Sequence, residues 1–213
     1  IPHGQRTRDT YHLSDFFINF GRNDDQVKNT IQRFLELIFS HPYKNPTFDE
    51  FAMFMAFSSS VRSGDLSRQV GAVIAKNQQI IATGANECPK SGGGLYWAEV
   101  DEISGAVSDA PDGKDYMRSE DSNKAEQTEI IKGILAAIGK LDGASEFPLD
   151  QLQGVLEQSR ISDLTAFGRV VHAEMEALLS CSRSGISCAE STLYCSTFPC
   201  HNCAKHIIAA GIK

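Results

Sequence analysis

The feature that most constrains this chain is a pair of cysteines three positions apart, in Pro199-Cys200-His201-Asn202-Cys203. It follows 25 residues after Glu174 in His172-Ala173-Glu174. At i and i+3 on a helix start, Cys200 and Cys203 put both sulfurs on one face, and Pro199 suits the position that opens such a helix. His172 begins a second helical run, His172–Ser184, and a short strand, Ser191–Ser196, separates the two. One nitrogen and two sulfurs therefore sit at two helix N-termini. This is a three-donor metal set with an open fourth position.

The rest of the chain supplies the layers around that core. Val27, Ile31, Leu35 and Ile38 recur on one face over Gln26–Ser40 and predict a helix. Thr47-Phe48-Asp49-Glu50 reads as a capping box for a helix running to about Arg62. Val70–Lys76 and Gln79–Ala85 are short apolar, β-branched runs that predict a hairpin turning at Asn77-Gln78. Residues 87–122 read mostly as loop, a length that in a compact domain marks function or disorder. Helices are expected again at Asn123–Gly139, Leu149–Ser159 and Cys200–Ala210, the last ended by Gly211. Helix, hairpin, insertion, helix, strand, helix predicts an α/β fold, a mixed sheet with helices on both faces.

Bulk properties narrow the function classes. With 213 residues and 41% hydrophobic content the chain can bury one real core. No apolar run approaches the roughly 18 residues of a membrane span, and no signal-peptide pattern precedes the first polar stretch. The six cysteines (Cys88, Cys181, Cys188, Cys195, Cys200, Cys203) then favour metal or catalytic use in a reducing cytoplasm over a disulfide framework. A net charge of −7 argues against a long nucleic-acid groove but leaves room for a single nucleotide. Gly92-Gly93-Gly94 is a flexible turn, since no G-x-x-x-x-G-K-[ST] motif occurs. The ends, Ile1-Pro2 and Gly211-Ile212-Lys213, read as cuts in a longer polypeptide, with a further strand expected after Gly211.

The donor set implies hydrolytic chemistry. A zinc ion on His172, Cys200 and Cys203 lowers the pKa of water by many units. Two thiolates weaken that effect, and two helix N-termini restore part of it. Glu174, two residues from His172, reaches the reacting water without ligating the metal and is the expected proton shuttle. The competing reading is a closed structural site with Cys195 or His201 as fourth ligand, in which Glu174 would have no use. His201 and His206 are expected at the surface or behind the ligands, and Cys88, Cys181 and Cys188 as plain thiols. Tyr96 and Trp97 either cover the core or, following the glycine turn, close over a substrate.

H-x-E followed by P-C-x-x-C is the known signature of zinc nucleobase deaminases. Longer strings resemble deoxycytidylate deaminases in order and spacing: Ser67-Arg68-Gln69-Val70-Gly71-Ala72-Val73, Gly84-Ala85-Asn86-Glu87-Cys88-Pro89, and both metal motifs. Gly92–Trp97, Phe167–Met175 and Thr197–His206 look most like the deaminase domain of bacterial anti-phage dCTP deaminases. The resemblance implies a cytidine-deaminase-like three-layer sandwich and zinc-dependent conversion of deoxycytidine nucleotides to deoxyuridine nucleotides and ammonia. In that family the reaction drains dCTP during phage infection, and some members are held inactive by a small RNA through an N-terminal P-loop kinase-like domain. Residues 1–25 would be the arm from such a domain, which has no Walker motif here, and 26–213 the deaminase domain. By position the resemblance gives Asn86 the deoxyribose hydroxyl or base edge, the Ala173 N–H the base carbonyl, and Phe198 a place near the pyrimidine. Arg62, Arg68 and Lys90 are the phosphate candidates, from charge and proximity to the first hairpin. A homo-oligomer is expected.

Three other readings share parts of this pattern. A housekeeping dCMP deaminase for thymidylate supply differs only in the residues that count phosphates. Riboflavin-pathway and tRNA-editing deaminases share both metal motifs but fit the 87–122 insertion and the acidic charge less well. A catalytically silent nucleotide- or RNA-sensing module would not need Glu174.

Overall fold

The structure, a computed structural model, describes residues 14, 16–18, 23–119, 121–141, 148–164 and 167–213. Its contacts divide the chain into two units, Ile1–Thr47 and Phe48–Lys213. Most of the arm expected over 1–25 lies outside the described residues.

In the first unit, helix α1 (Asp24–Ile38) is capped by Asn23, whose side chain accepts the Asp25 N–H at 2.9 Å. Asp24 and Asp25 in its first turn complement the helix dipole. Phe16 stacks on Phe34 with ring centroids 3.8 Å apart, and Arg33 donates to the Asn45 carbonyl at 2.8 Å.

The second unit is built on strands β1 (Gly71–Lys76) and β2 (Gln79–Ala85), an antiparallel hairpin. Asn77 and Gln78 both take positive φ, 51° and 57°, as a two-residue turn matched to strand twist requires. Strand β5 (Thr192–Cys195) pairs antiparallel with the other edge of β1, giving the order β2-β1-β5. Both described ladders of this sheet are thus antiparallel.

Central β1 is buried on both faces, and its residues alternate between two layers. Ala72 and Ile74 pack with Ala173, Ala177 and Cys181 of helix α6 (Ala173–Arg183). Val73 packs with Ala52 and Ala56 of helix α2 (Phe48–Ser60). Helix α7 (His201–Ala209) joins the α6 side through Ile207. The expected α/β sandwich, helices on both faces of a sheet, is the architecture formed. Two glycines let the layers meet closely. A Cβ on Gly71 would lie 1.9 Å from the Ala56 carbonyl oxygen, and one on Gly84 2.1 Å from that of Ala173.

The segment expected to be mostly loop carries structure of its own. Strands β3 (Glu99–Val100) and β4 (Val107–Ser108) form a small hairpin. Asp101 closes its turn by accepting the Ser104 and Ile103 N–H groups at 2.6 and 3.1 Å. One turn of helix, α3 (Asp115–Arg118), precedes α4 (Ser122–Ile138), which is capped by Asp121. Helix α5 (Leu149–Glu157) and a 3-10 turn (Arg160–Asp163) follow. Sequence periodicity does not reveal the hairpin, because two-residue strands are shorter than any alternation.

Candidate active site

His172 is the N-cap of α6 and Cys200 the N-cap of α7, both in extended backbone. Two helix N-termini therefore deliver the donors, and the Cys203 N–H donates to the Cys200 Sγ at 3.5 Å. The His172 Nδ1 lies 3.4 Å from the Cys200 Sγ and 3.5 Å from the Cys203 Sγ. Nitrogen and sulfur ligands of a tetrahedral zinc, at ordinary bond lengths, are about 3.6 Å apart. The three donor atoms all fall within 4.8 Å of one another, so the group fits a single ion.

Neither residue proposed to close the site takes part. Cys195 and His201 lie outside the three-donor group among the described residues. The Cys195 thiol is pushed up to about 12, first by burial and then by the Glu174 carboxylate, and stays protonated. Burial, then Glu174, raises the metal-free Cys203 thiol as well, so a bound cation must displace its proton. Replacing Cys203 by serine is expected to cut the zinc retained after dialysis at least tenfold, read by atomic absorption. Wild-type zinc content in that variant would remove Cys203 from the ligand set.

Glu174, in the first turn of α6, is 2% exposed. It lines a cavity of about 340 Å³ together with His172, Ala173 and Cys200. Asn86, Arg68 and Phe198 also line this cavity; Arg62 and Lys90 do not. Arg62 instead stacks on Trp97, with the guanidinium carbon 3.6 Å from the ring centroid, and donates to the Leu95 carbonyl at 3.2 Å. Lys90 sits in the glycine turn, its N–H bonded to the Gly94 carbonyl. Proximity in sequence to the hairpin does not fix which side of the sheet a long side chain takes. Trp97, 63% exposed, is not among the residues that line this cavity, and its ring packs against Arg62.

Asn86 is less available than its motif implies. Its Oδ1 accepts the Val70 N–H at 2.6 Å, and its Nδ2 donates to the Arg68 carbonyl at 2.7 Å. Those bonds fix the backbone that carries Arg68, whose Nη1 donates to the Thr197 hydroxyl at 3.2 Å. Phe198, 92% exposed, stands uncovered at the cavity's rim.

Sequence reasoning missed part of the wall. Asp65, Asp115, Asp121 and Asn123 line the cavity, the last three from the segment read as loop and the helix after it. Ion pairs hold the segment that carries Asp115. Arg169 reaches Asp115 at 2.9 Å and the Gly113 carbonyl at 2.9 Å. Lys114 reaches Asp109 at 3.1 Å and Glu87 at 3.8 Å. Glu87 is itself buried, accepting the Gly64 N–H at 2.6 Å and the Cys88 N–H at 2.8 Å, and its backbone bridges Val171, next to His172. The signal was an Arg three residues before the metal histidine with no apparent use.

Comparison with known proteins adds the family. Residues 46–213 match the family described as the cytidine and deoxycytidylate deaminase zinc-binding region. The chain is 31% identical over 159 residues to the deoxycytidylate deaminase of Enterobacteria phage T2, covering 75% of this chain and 73% of that protein. It is 29% identical over 159 residues to the deoxycytidylate deaminase of Enterobacteria phage T4, covering 75% and 71%. The crystal structure of the dCMP deaminase from cyanophage S-TIM5 in complex with dCMP and dUMP is 24% identical, covers 79% of each chain and superposes with a TM-score of 0.41.

Proposed function

The chain belongs to the cytidine and deoxycytidylate deaminase family, and from that premise we propose that it hydrolyses the 4-amino group of a deoxycytidine nucleotide, giving the deoxyuridine nucleotide and ammonia. The observation that carries this reading is the placement of Glu174. It is a buried carboxylate beside a three-donor metal group and inside a cavity of nucleotide size. A catalytically silent sensor has no need of a proton shuttle at that position.

Zinc held by His172, Cys200 and Cys203 would act as a Lewis acid that activates water. Glu174 takes a proton from the attacking water and passes it to N3 as the C4–O bond forms. Glu174 then takes the proton of the new C4 hydroxyl and delivers it to the amino nitrogen, the C4–N bond breaks as the C4 carbonyl forms, and ammonia leaves. The Ala173 N–H belongs to the first helical turn, whose donors have no intrahelical acceptor, and it suits the base carbonyl. Phe198 at the rim offers a face to the pyrimidine.

Among the described residues that line the cavity, one cationic side chain, Arg68, is available to a phosphate. Of Arg62, Arg68 and Lys90 only Arg68 lines the cavity, where Asp65, Asp115 and Asp121 are also found. One guanidinium suits a monophosphate; a triphosphate adds charge that the carboxylates repel. We therefore read dCMP as the preferred substrate over dCTP, and the dCTP-draining antiviral role as the second reading, favoured by the longer sequence strings. Ammonia release from dCMP and dCTP, side by side on the zinc-loaded protein, decides between them. Arg68→Ala is expected to raise KM for dCMP about tenfold to a hundredfold, with kcat changed much less. Preference for dCTP would overturn the monophosphate reading, and bound zinc without turnover on either nucleotide would favour a binding module.

A further inference from the structure

Asp115 is a carboxylate in the cavity wall with one oxygen to spare. Its side chain is 8% exposed and belongs to the one-turn helix α3. Its Oδ1 accepts both the Arg169 Nη1–H at 2.9 Å and the Cys88 thiol at 3.2 Å. No described residue bonds to its Oδ2, although a carboxylate oxygen can accept two hydrogen bonds.

This acceptor is held from both sides. Arg169 grips Asp115 and the Gly113 carbonyl together. Lys114, the preceding residue, is anchored on Asp109 and Glu87. Arg169 lies three residues before His172 and Glu87 bridges Val171, so the same framework fixes Asp115 relative to the metal group. Asp65 and Asp121 line the cavity as well, but both are more exposed and serve as turn and helix caps.

The chemistry of the ligand leaves one donor for Asp115. If the substrate is a deoxycytidine nucleotide, as proposed above, its phosphate and its base carbonyl only accept hydrogen bonds. Its 4-amino group must lie at Glu174 and the metal donors to react. A 2′-deoxyribose nucleotide then has only its 3′-hydroxyl left to give. We propose that the Asp115 Oδ2 accepts a hydrogen bond from the 3′-hydroxyl of the sugar, making Asp115 a specificity-determining residue supplied by the insertion. The remaining Asn86 amide N–H can donate to the same oxygen, which reconciles its committed side chain with a sugar contact.

The test compares dCMP with 2′,3′-dideoxycytidine 5′-monophosphate on wild type, Asp115→Ala and Asp115→Asn, each first checked for wild-type-like melting. Wild type is expected to prefer dCMP in kcat/KM by about tenfold to a hundredfold, as for a hydrogen bond to a charged group. That preference should collapse in Asp115→Ala and shrink in Asp115→Asn, read as the ratio of the two substrates within each variant. Equal losses on both substrates would overturn the proposal and leave Asp115 a merely structural partner of Arg169. Binding of the two nucleotides to the Glu174→Gln protein gives the same comparison without turnover. If wild type releases no ammonia but that binding preference exists and depends on Asp115, the deaminase reading falls and the sugar contact stands. If binding shows no preference either, the contact falls too.

Discussion

Glu174→Gln is expected to retain full zinc content and a wild-type fold while losing roughly three to four orders of magnitude in kcat. Glutamine matches glutamate in shape, so the 2% exposed site stays filled. What it cannot do is carry a proton. A positioned acid or base contributes about 10²–10⁴ in rate, and Glu174 serves in both roles within one turnover, which puts its loss near the upper end. That corresponds to about 4–5 kcal/mol of barrier. Stability should not fall, because the substitution removes a buried carboxylate that lies against the Cys195 and Cys203 thiols. The measurement is ammonia release on zinc-matched samples with melting curves alongside. Activity within tenfold of wild type would remove Glu174 from the proton path, whereas lost zinc would mean that it supports the ligands instead.

How much of this was legible in the sequence follows from how local each determinant is. His172, Cys200 and Cys203 were readable because two of them are helix N-caps and the third lies in the first turn after Cys200, positions that short-range signals mark. The hairpin was readable for the same reason, with Asn77-Gln78 between two apolar runs. The wall built by Asp115, Asp121 and Asn123 was not. Asp115 is held by Arg169, 54 positions away, and Asn123 accepts the Phe167 N–H, 44 positions away. No periodicity or turn rule couples such residues. Asn86 shows a third limit. Its motif was visible, but an asparagine in a loop can spend its amide on a ligand or on its own backbone, and here the bonds to Val70 and Arg68 take most of it. Arg62 shows the opposite limit: its charge suggested phosphate, while the structure places its guanidinium against the Trp97 ring and outside the residues that line the cavity.

Gly84→Ala is expected to be the most damaging single methyl that could be added to this site. Gly84 needs no left-handed φ, since it lies within strand β2. Its requirement is space. A Cβ there would sit 2.1 Å from the Ala173 carbonyl oxygen and 2.6 Å from the Ala177 nitrogen, whereas carbon needs about 3.5 Å from a non-bonded heavy atom. Both obstacles are backbone of α6, so no rotamer change relieves them. The helix must shift by more than 1 Å from the sheet, on the order of the displacement that costs about a hundredfold in rate when it misplaces catalytic groups. That helix carries His172 at its cap and Glu174 in its first turn, while Cys200 and Cys203 ride on α7. Gly84→Ala should therefore lower both zinc affinity and turnover and destabilise the fold by about 3 kcal/mol or more, a fall of roughly 10 °C in Tm for a chain of this size. Gly133→Ala supplies the control, because Gly133 lies inside α4 with no heavy atom within 4 Å of its would-be Cβ. There alanine should gain about 0.5–1 kcal/mol from backbone entropy and raise Tm slightly. A Gly84→Ala protein melting within about 2 °C of wild type would mean that α6 can slide on the sheet at little cost, and the tight backbone contact would then not be what sets the distance between the two metal-bearing helices.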